Sequence, residues 1–320
     1  MAVLTPLSMK EARAIGAQYG LDVVGVSGIM AGSVNSNFAL WLPGGERFFL
    51  RIYEQQDLRA ADEEVRLLEH LTAQGVPTPR PLATAGGGFE AEHRGKPVAL
   101  FPWVDGEMVC QAGVRVEHVR RLGEALARVH TAGMSLPGGG WPGRFRVGEL
   151  FVRAEQIEGA ERSADVAAAV RVLRSRLERR MQMPPAPEIP VIHGDLFRDN
   201  VLWRGTSLAA LLDFESASRG SAAFDLMVAV LAWCFGDALE LPLARALVGG
   251  YASVRPLGDE RAHLYDEAVF AAVRFAITRI TDFELRPRGA GVHKDFRRFV
   301  ARLGAVEEIG PSAWPSALGV

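Results

Sequence analysis

Only two cysteines, Cys110 and Cys234, occur in 320 residues, and neither has CxxC or CxxH spacing. That argues against a structural zinc site and a disulfide framework, and both thiols are expected as free, small core residues of a reducing compartment. Lysine is nearly as scarce, with Lys10, Lys96 and Lys294 alone, so the positive charge is almost wholly arginine. Neither sign dominates: 36 basic against 38 acidic residues leave a net charge of −2 without long blocks, which disfavours nucleic acid or an anionic membrane as partner. Long apolar runs are missing too. The longest, Leu226 to Phe235, is too short to cross a bilayer, and the first residues show no charged-then-apolar leader. A cytoplasmic protein is the expectation.

What is present is an ordinary globular composition, 48% apolar and 23% charged, in a chain longer than one core usually supports. Two domains follow as an expectation, 1–103 and 104–320, divided at the turn Trp103-Val104-Asp105-Gly106-Glu107. Before the boundary, helical spacing over Met9 to Tyr19 leads into strands at Val23 to Ile29, Phe38 to Leu42 and Phe48 to Tyr53, then a helix over Ala60 to Gln74. A strand pair at Phe89 to Glu92 and Val98 to Trp103 completes an antiparallel sheet. Beyond it the period turns helical: Glu117 to Ala132, Phe145 to Ile157, Ser163 to Met181, Phe224 to Phe235, Pro242 to Ser253, and one long helix from about Asp259 to Phe283. The pattern is α+β, a small sheet-rich part before a larger helical one.

One β insertion interrupts the helices. Val201-Leu202-Trp203 and Leu208 to Phe214 flank the turn residues Arg204-Gly205-Thr206-Ser207, a hairpin signal that would set Asn200 near Asp213 at its open end. An amide oxygen beside a carboxylate suits Mg²⁺, which takes one or two protein ligands and fills its octahedron with phosphate and water. Just upstream, His193-Gly194-Asp195, four residues and Asn200 have the spacing of a kinase catalytic loop. Asp213-Phe214-Glu215 follows where such enzymes carry a metal-binding aspartate.

These motifs, with Asp225 and Leu126-Ala127-Arg128-Val129-His130 in order, resemble the aminoglycoside phosphotransferase and choline kinase family. The resemblance implies a two-lobed protein-kinase-like fold, a small N-terminal antiparallel sheet with a helix and a larger, mainly helical C-terminal lobe. It implies ATP and Mg²⁺ as cofactors, Asp195 as the base or orienter of the attacking hydroxyl, and Asn200 and Asp213 as metal ligands. His193 and Asp225 would support the loop. For the nucleotide it points to the small-residue loop with Gly32, Ser33, Asn35, Ser36 and Asn37, and to Arg51 where the family usually has lysine, with Glu64 as its carboxylate partner. Phe101 and Trp103 would lie where adenine is received. A solvated turn around Asp195 or an exposed helix position for Glu64 is the plainer alternative.

Within the family, the loop Val34-Asn35-Ser36-Asn37-Phe38, the stretch His193 to Val201 and the run Arg274-Phe275-Ala276-Ile277-Thr278-Arg279-Ile280 are similar to the homoserine kinases of this fold. That implies a small hydroxyl substrate, homoserine, and threonine biosynthesis. Choline, an aminoglycoside or another alcohol stays open as acceptor, because Asp213-Phe214-Glu215 is common across the family, and so does a pseudokinase-like binding protein. An amino-acid acceptor needs a cation for its carboxylate and an anion for its ammonium, and Arg279 and Asp282, three residues apart, are the candidates.

Overall fold

The computed structural model describes residues 3–30, 35–285 and 294–320. They form two compact units, one up to Asp105 and one from Gly106 on.

In the first unit Ser8 caps α1 (Met9–Gln18) through a reciprocal box with Glu11. Strands β1 (Gly25–Gly28), β2 (Ser36–Trp41), β3 (Arg47–Ile52), β4 (Glu90–His93) and β5 (Lys96–Pro102) build an antiparallel sheet in the order β1-β2-β3-β5-β4. Because strand side chains alternate, Phe48, Leu50 and Ile52 bury toward α1 with Phe38, Leu40, Val98 and Leu100. Arg51 therefore takes the opposite face, between Asn37 and Ala99 in register. Helix α2 (Leu58–Ala73), capped by Asp57, buries a stripe that includes Val65, Leu68, Leu71 and, among these apolar residues, Glu64.

In the second unit α3 (Val116–Gly133) and α7 (Leu241–Val254) touch backbone to backbone. A Cβ at Gly123 would come 2.1 Å from the Leu247 carbonyl, and one at Gly250 2.1 Å from that of Arg120, so only glycine permits the crossing. Helices α4 (Val147–Gly159) and α5 (Ala164–Met181) pack on the central α8 (Leu264–Arg279). Helix α6 (Ala222–Trp233) is buried all round, yet Asp225 is part of it. Two small ladders interrupt the helices: β6 (Glu188–Ile192) with β9 (Ser218–Ser221), and the expected hairpin β7 (Val201–Arg204) with β8 (Ser207–Leu211).

Three features differ from the sequence reading. The long last helix is broken into a 3₁₀ turn at Asp259–His263, α8, and a π-helical turn at Ile280–Glu284. The β6–β9 ladder and the helices α9 (Arg297–Ile309) and α10 (Trp314–Ala317) were not expected, although Phe299, Leu303 and Val306 have helical spacing. Cys110 is exposed rather than a core residue, because it lies in the extended segment leading to the 3₁₀ turn Gln111–Gly113, whereas Cys234 is buried. No helix among the described residues is long and apolar enough to cross a membrane.

Candidate active site

The loop after β6 is held from beneath by one carboxylate. Asp225 Oδ2 accepts the His193 backbone N–H at 2.6 Å and Oδ1 that of Gly194 at 2.8 Å. His130 Nε2 lies 2.9 Å from Oδ2, and its Nδ1 2.8 Å from the Tyr251 hydroxyl. Asp225, His130 and His193 are wholly buried. Burial alone would raise the Asp225 carboxyl; the hydrogen bond and charge of His130, the charge of His193 and the Gly194 N–H outweigh it and hold the group below the usual carboxylate range. Gly194 sits at φ +75°, and a Cβ there would meet the Ser216 carbonyl at 2.8 Å, so the loop can turn here only with glycine.

That turn presents Asp195. Its backbone carbonyl accepts the Phe197 N–H at 2.7 Å and Asn200 Nδ2 at 2.8 Å, which fixes the chain, while its carboxylate is part-exposed. Oδ1 accepts a 3.2 Å hydrogen bond from Arg274 Nη1, and Oδ2 has no hydrogen-bond partner among the described residues. Asn200 is buried, its amide nitrogen donates to Asp195, and its Oδ1 accepts no hydrogen bond among the described residues. The Asn200 carbonyl accepts the Leu212 N–H at 2.9 Å, with Val201 opposite Leu211, so Asp213 emerges beside Asn200 at the hairpin's open end. Asp213 adopts φ 63°, ψ 66°, in the left-handed region that few residues other than glycine enter. His193 braces this segment, with Nε2 3.0 Å from the Leu212 carbonyl and its ring 4.5 Å from that of Phe214.

An uncommitted amide oxygen next to a carboxylate fits a hard divalent cation. No group of three or more His, Cys, Asp or Glu residues that could cage a metal occurs among the described residues. The donor set thus suits an ion that shares its coordination with phosphate.

In the first unit Arg51 and Glu64 form an ion pair, Nη1 to Oε1 3.0 Å, with both side chains nearly enclosed. Asn35, Ser36 and Asn37 are buried. The Ser36 hydroxyl accepts the N–H groups of Leu4 and Thr5 and donates to Glu54, and Asn35 Oδ1 accepts the Glu54 N–H, so these two side chains tie the N-terminal segment and the end of β3 to β2. Gly32 and Ser33 lie outside the described residues. Phe101 is buried in β5, whereas Trp103 is half-buried, its ring under the Arg47 guanidinium at 4.7 Å and its N–H on Asp105.

Arg279 and Asp282 are not paired with each other. Arg279 Nη1 donates to the Asp295 carbonyl and its guanidinium lies 4.5 Å over the Phe299 ring. Asp282, in the π-helical turn, accepts from Arg153 at 2.9 Å. Arg198 points inward, to Gln111 and the Ala232 carbonyl. The residue that meets Asp195 is Arg274, which the sequence reading did not single out as a site residue. Its signal was available: an arginine inside the apolar run Val273-Arg274-Phe275-Ala276-Ile277 of a helix must be buried and must find a partner.

Residues 25–257 match the profile of the phosphotransferase enzyme family. The chain is 35% identical to a homoserine kinase of Methylobacterium radiotolerans, over 95% of each chain. It is 32% identical to one of Methylocella silvestris, over 97% of each. Among solved structures it superposes with a TM-score of 0.70 on an amicoumacin kinase in complex with AMP-PNP, Ca²⁺ and Ami, at 15% identity over 95% of this chain and 93% of the other. That likeness shows the protein-kinase-like fold.

Proposed function

The chain belongs to the phosphotransferase enzyme family and is an ATP-dependent phosphotransferase acting on an alcohol; from that premise we propose that its acceptor is L-homoserine and its product O-phospho-L-homoserine. The unit before the boundary near residue 103 would bind the nucleotide, and the unit after it would hold the catalytic loop and the acceptor. The setting would be the cytoplasm and the pathway threonine synthesis.

The observation that carries the reading is the free Oδ2 of Asp195 on a loop whose backbone is fixed on both sides. A carboxylate with one oxygen engaged by Arg274 and the other open is placed to take a hydrogen bond from an acceptor hydroxyl. As that oxygen bonds to the γ-phosphorus, its proton passes to Asp195 and the β–γ bridging oxygen leaves with ADP. Asn200 and Asp213 would hold Mg²⁺, which when bound with the nucleotide neutralises charge on the phosphates. Arg51, oriented by Glu64, would supply a permanent cation to the phosphates in place of lysine; its fork reaches two oxygens at once. The segment with Gly32 and Ser33 would cover the phosphates, with Asn35, Ser36 and Asn37 anchoring the start of β2 that follows it, and Phe101 and Trp103 would neighbour the adenine. Arg279 and Asp282 stand as candidate contacts for the acceptor's carboxylate and ammonium.

The two relatives named homoserine kinase, each matched nearly end to end, favour homoserine over choline or an aminoglycoside. The test is ADP release with homoserine, choline and an aminoglycoside panel, with Asp195→Asn as control. Turnover of homoserine alone supports the reading. Preference for another acceptor, or no turnover at all, removes it.

A further inference from the structure

Three arginines converge on one phenylalanine. The guanidinium carbons of Arg274, Arg153 and Arg144 lie 4.3, 5.5 and 5.6 Å from the Phe145 ring centroid. Arg274 is 3% exposed and also lies over the Phe275 ring, 3.7 Å from its centroid. Of its five N–H donors, one bond to Asp195 is made, and Nε is buried with no partner among the described residues. Burial, with Arg144 and Arg153 adding repulsion, pushes this guanidinium down to about 10 despite Asp195, so it stays charged at neutral pH. A buried cation with unused donors and like charges around it is costly unless an anion arrives. Arg144 has no carboxylate partner among the described residues and donates to the Glu215 carbonyl at 3.3 Å, while Arg153 is shared with Thr281 and Asp282.

Resting on the reading of Asp195 as the group that meets the acceptor hydroxyl, we propose that Arg274, backed by Arg144 and Arg153, receives a carboxylate of the acceptor, so that the substrate class is a hydroxy acid or hydroxy amino acid. An alcohol oxygen four bonds from a carboxyl carbon spans about 5 Å at most, within reach of a guanidinium already touching Asp195. Arg144 and Arg153 also wall an open cavity with Thr281, Asp282 and Glu149, where the exposed Glu149 carboxylate can meet an ammonium. The Phe145 ring is surrounded by three guanidinium groups, which is not the aromatic box a quaternary ammonium needs.

The test compares acceptors matched in all but the carboxylate: L-homoserine against 3-aminopropan-1-ol, and glycerate against glycerol, by ADP release. The wild type should prefer the acid of at least one pair. Arg274→Gln should cut that preference in kcat/KM by about 10- to 150-fold, as expected for lost charge-assisted hydrogen bonds, with most of the change in KM for the acid. Arg274→Lys should restore it only in part, and is the variant to read if glutamine prevents folding. Equal losses for both members of a pair, or a collapse of preference in Arg279→Gln and not in Arg274→Gln, overturn the inference while leaving homoserine as substrate. Preference for the carboxylate-free acceptors overturns it outright. Turnover of glycerate but not homoserine, with the same Arg274 dependence, upholds it and removes the homoserine reading instead.

Discussion

Asp225→Ala should unfold the catalytic loop before it touches any reacting group. The lost carboxylate accepts two backbone N–H bonds and one from His130 in a site with no access to water, so three buried donors are orphaned together. Breaking a buried charged network in this way costs about 3–5 kcal/mol, and the alanine variant belongs at the top of that range. Asparagine keeps one acceptor oxygen but turns an NH₂ toward at least one donor, for a loss of about 2–4 kcal/mol. For a unit of this size about 1 kcal/mol moves the midpoint by about 2–4 °C, so scanning calorimetry should show Asp225→Asn melting about 5–15 °C lower. The pH dependence has a definite sign. The folded-state pKa lies below the ordinary 3.8, so the carboxylate's contribution is complete above that value and is lost as pH falls beneath it. The gap in midpoint between wild type and Asp225→Asn should therefore be widest at pH 5 to 7 and narrow toward pH 3. A loss under about 1 kcal/mol for alanine, or a gap that widens on acidification, would refute the assignment of Asp225 as an ionised anchor.

Asp195→Asn keeps the shape of a part-exposed side chain but removes the carboxylate bonded to the buried Arg274, so stability should fall by about 1–3 kcal/mol while kcat falls by about 10²- to 10⁴-fold; steady-state ADP release and a melt on the same sample check both. Glu64→Gln leaves Arg51 enclosed without its carboxylate and should destabilise the first unit by about 3 kcal/mol, with KM for ATP up about tenfold if 1.4 kcal/mol of phosphate binding is lost; unchanged KM would separate Arg51 from the nucleotide. Gly194→Ala forces a Cβ into the left-handed region and onto the Ser216 carbonyl, a cost of about 2 kcal/mol readable by urea titration.

The parts of this fold that were legible in the sequence are those where one local rule acts alone. Turn residues between apolar runs announced the hairpin, and with it the proximity of Asn200 and Asp213. The pairing of Arg51 with Glu64 was implied by the resemblance, and the alternation of β3 accounts for Arg51 leaving the core face toward α2. Illegible features depend on choices that several residues make together. Small polar residues such as Asn35 and Ser36 look the same in sequence whether they line a loop or pin a strand, and here both are buried and bonded to the Glu54 region. Spacing of three residues puts Arg279 and Asp282 on one face only if the helix keeps its pitch; the π-helical turn that starts at Ile280 changes it, and they take different partners. Arg274 lay inside an apolar run whose period pointed to core packing, and only the three-dimensional meeting with the loop after β6 gives it chemical meaning.

The left-handed backbone at residue 213 restricts what can ever replace it. Most side chains pay a conformational penalty of about 1–2 kcal/mol there before any question of charge arises, whereas asparagine shares aspartate's tolerance for that region. An alanine scan would thus mix two effects at this position, local geometry and electrostatics, and asparagine is the replacement that discharges the site while leaving the main chain at ease.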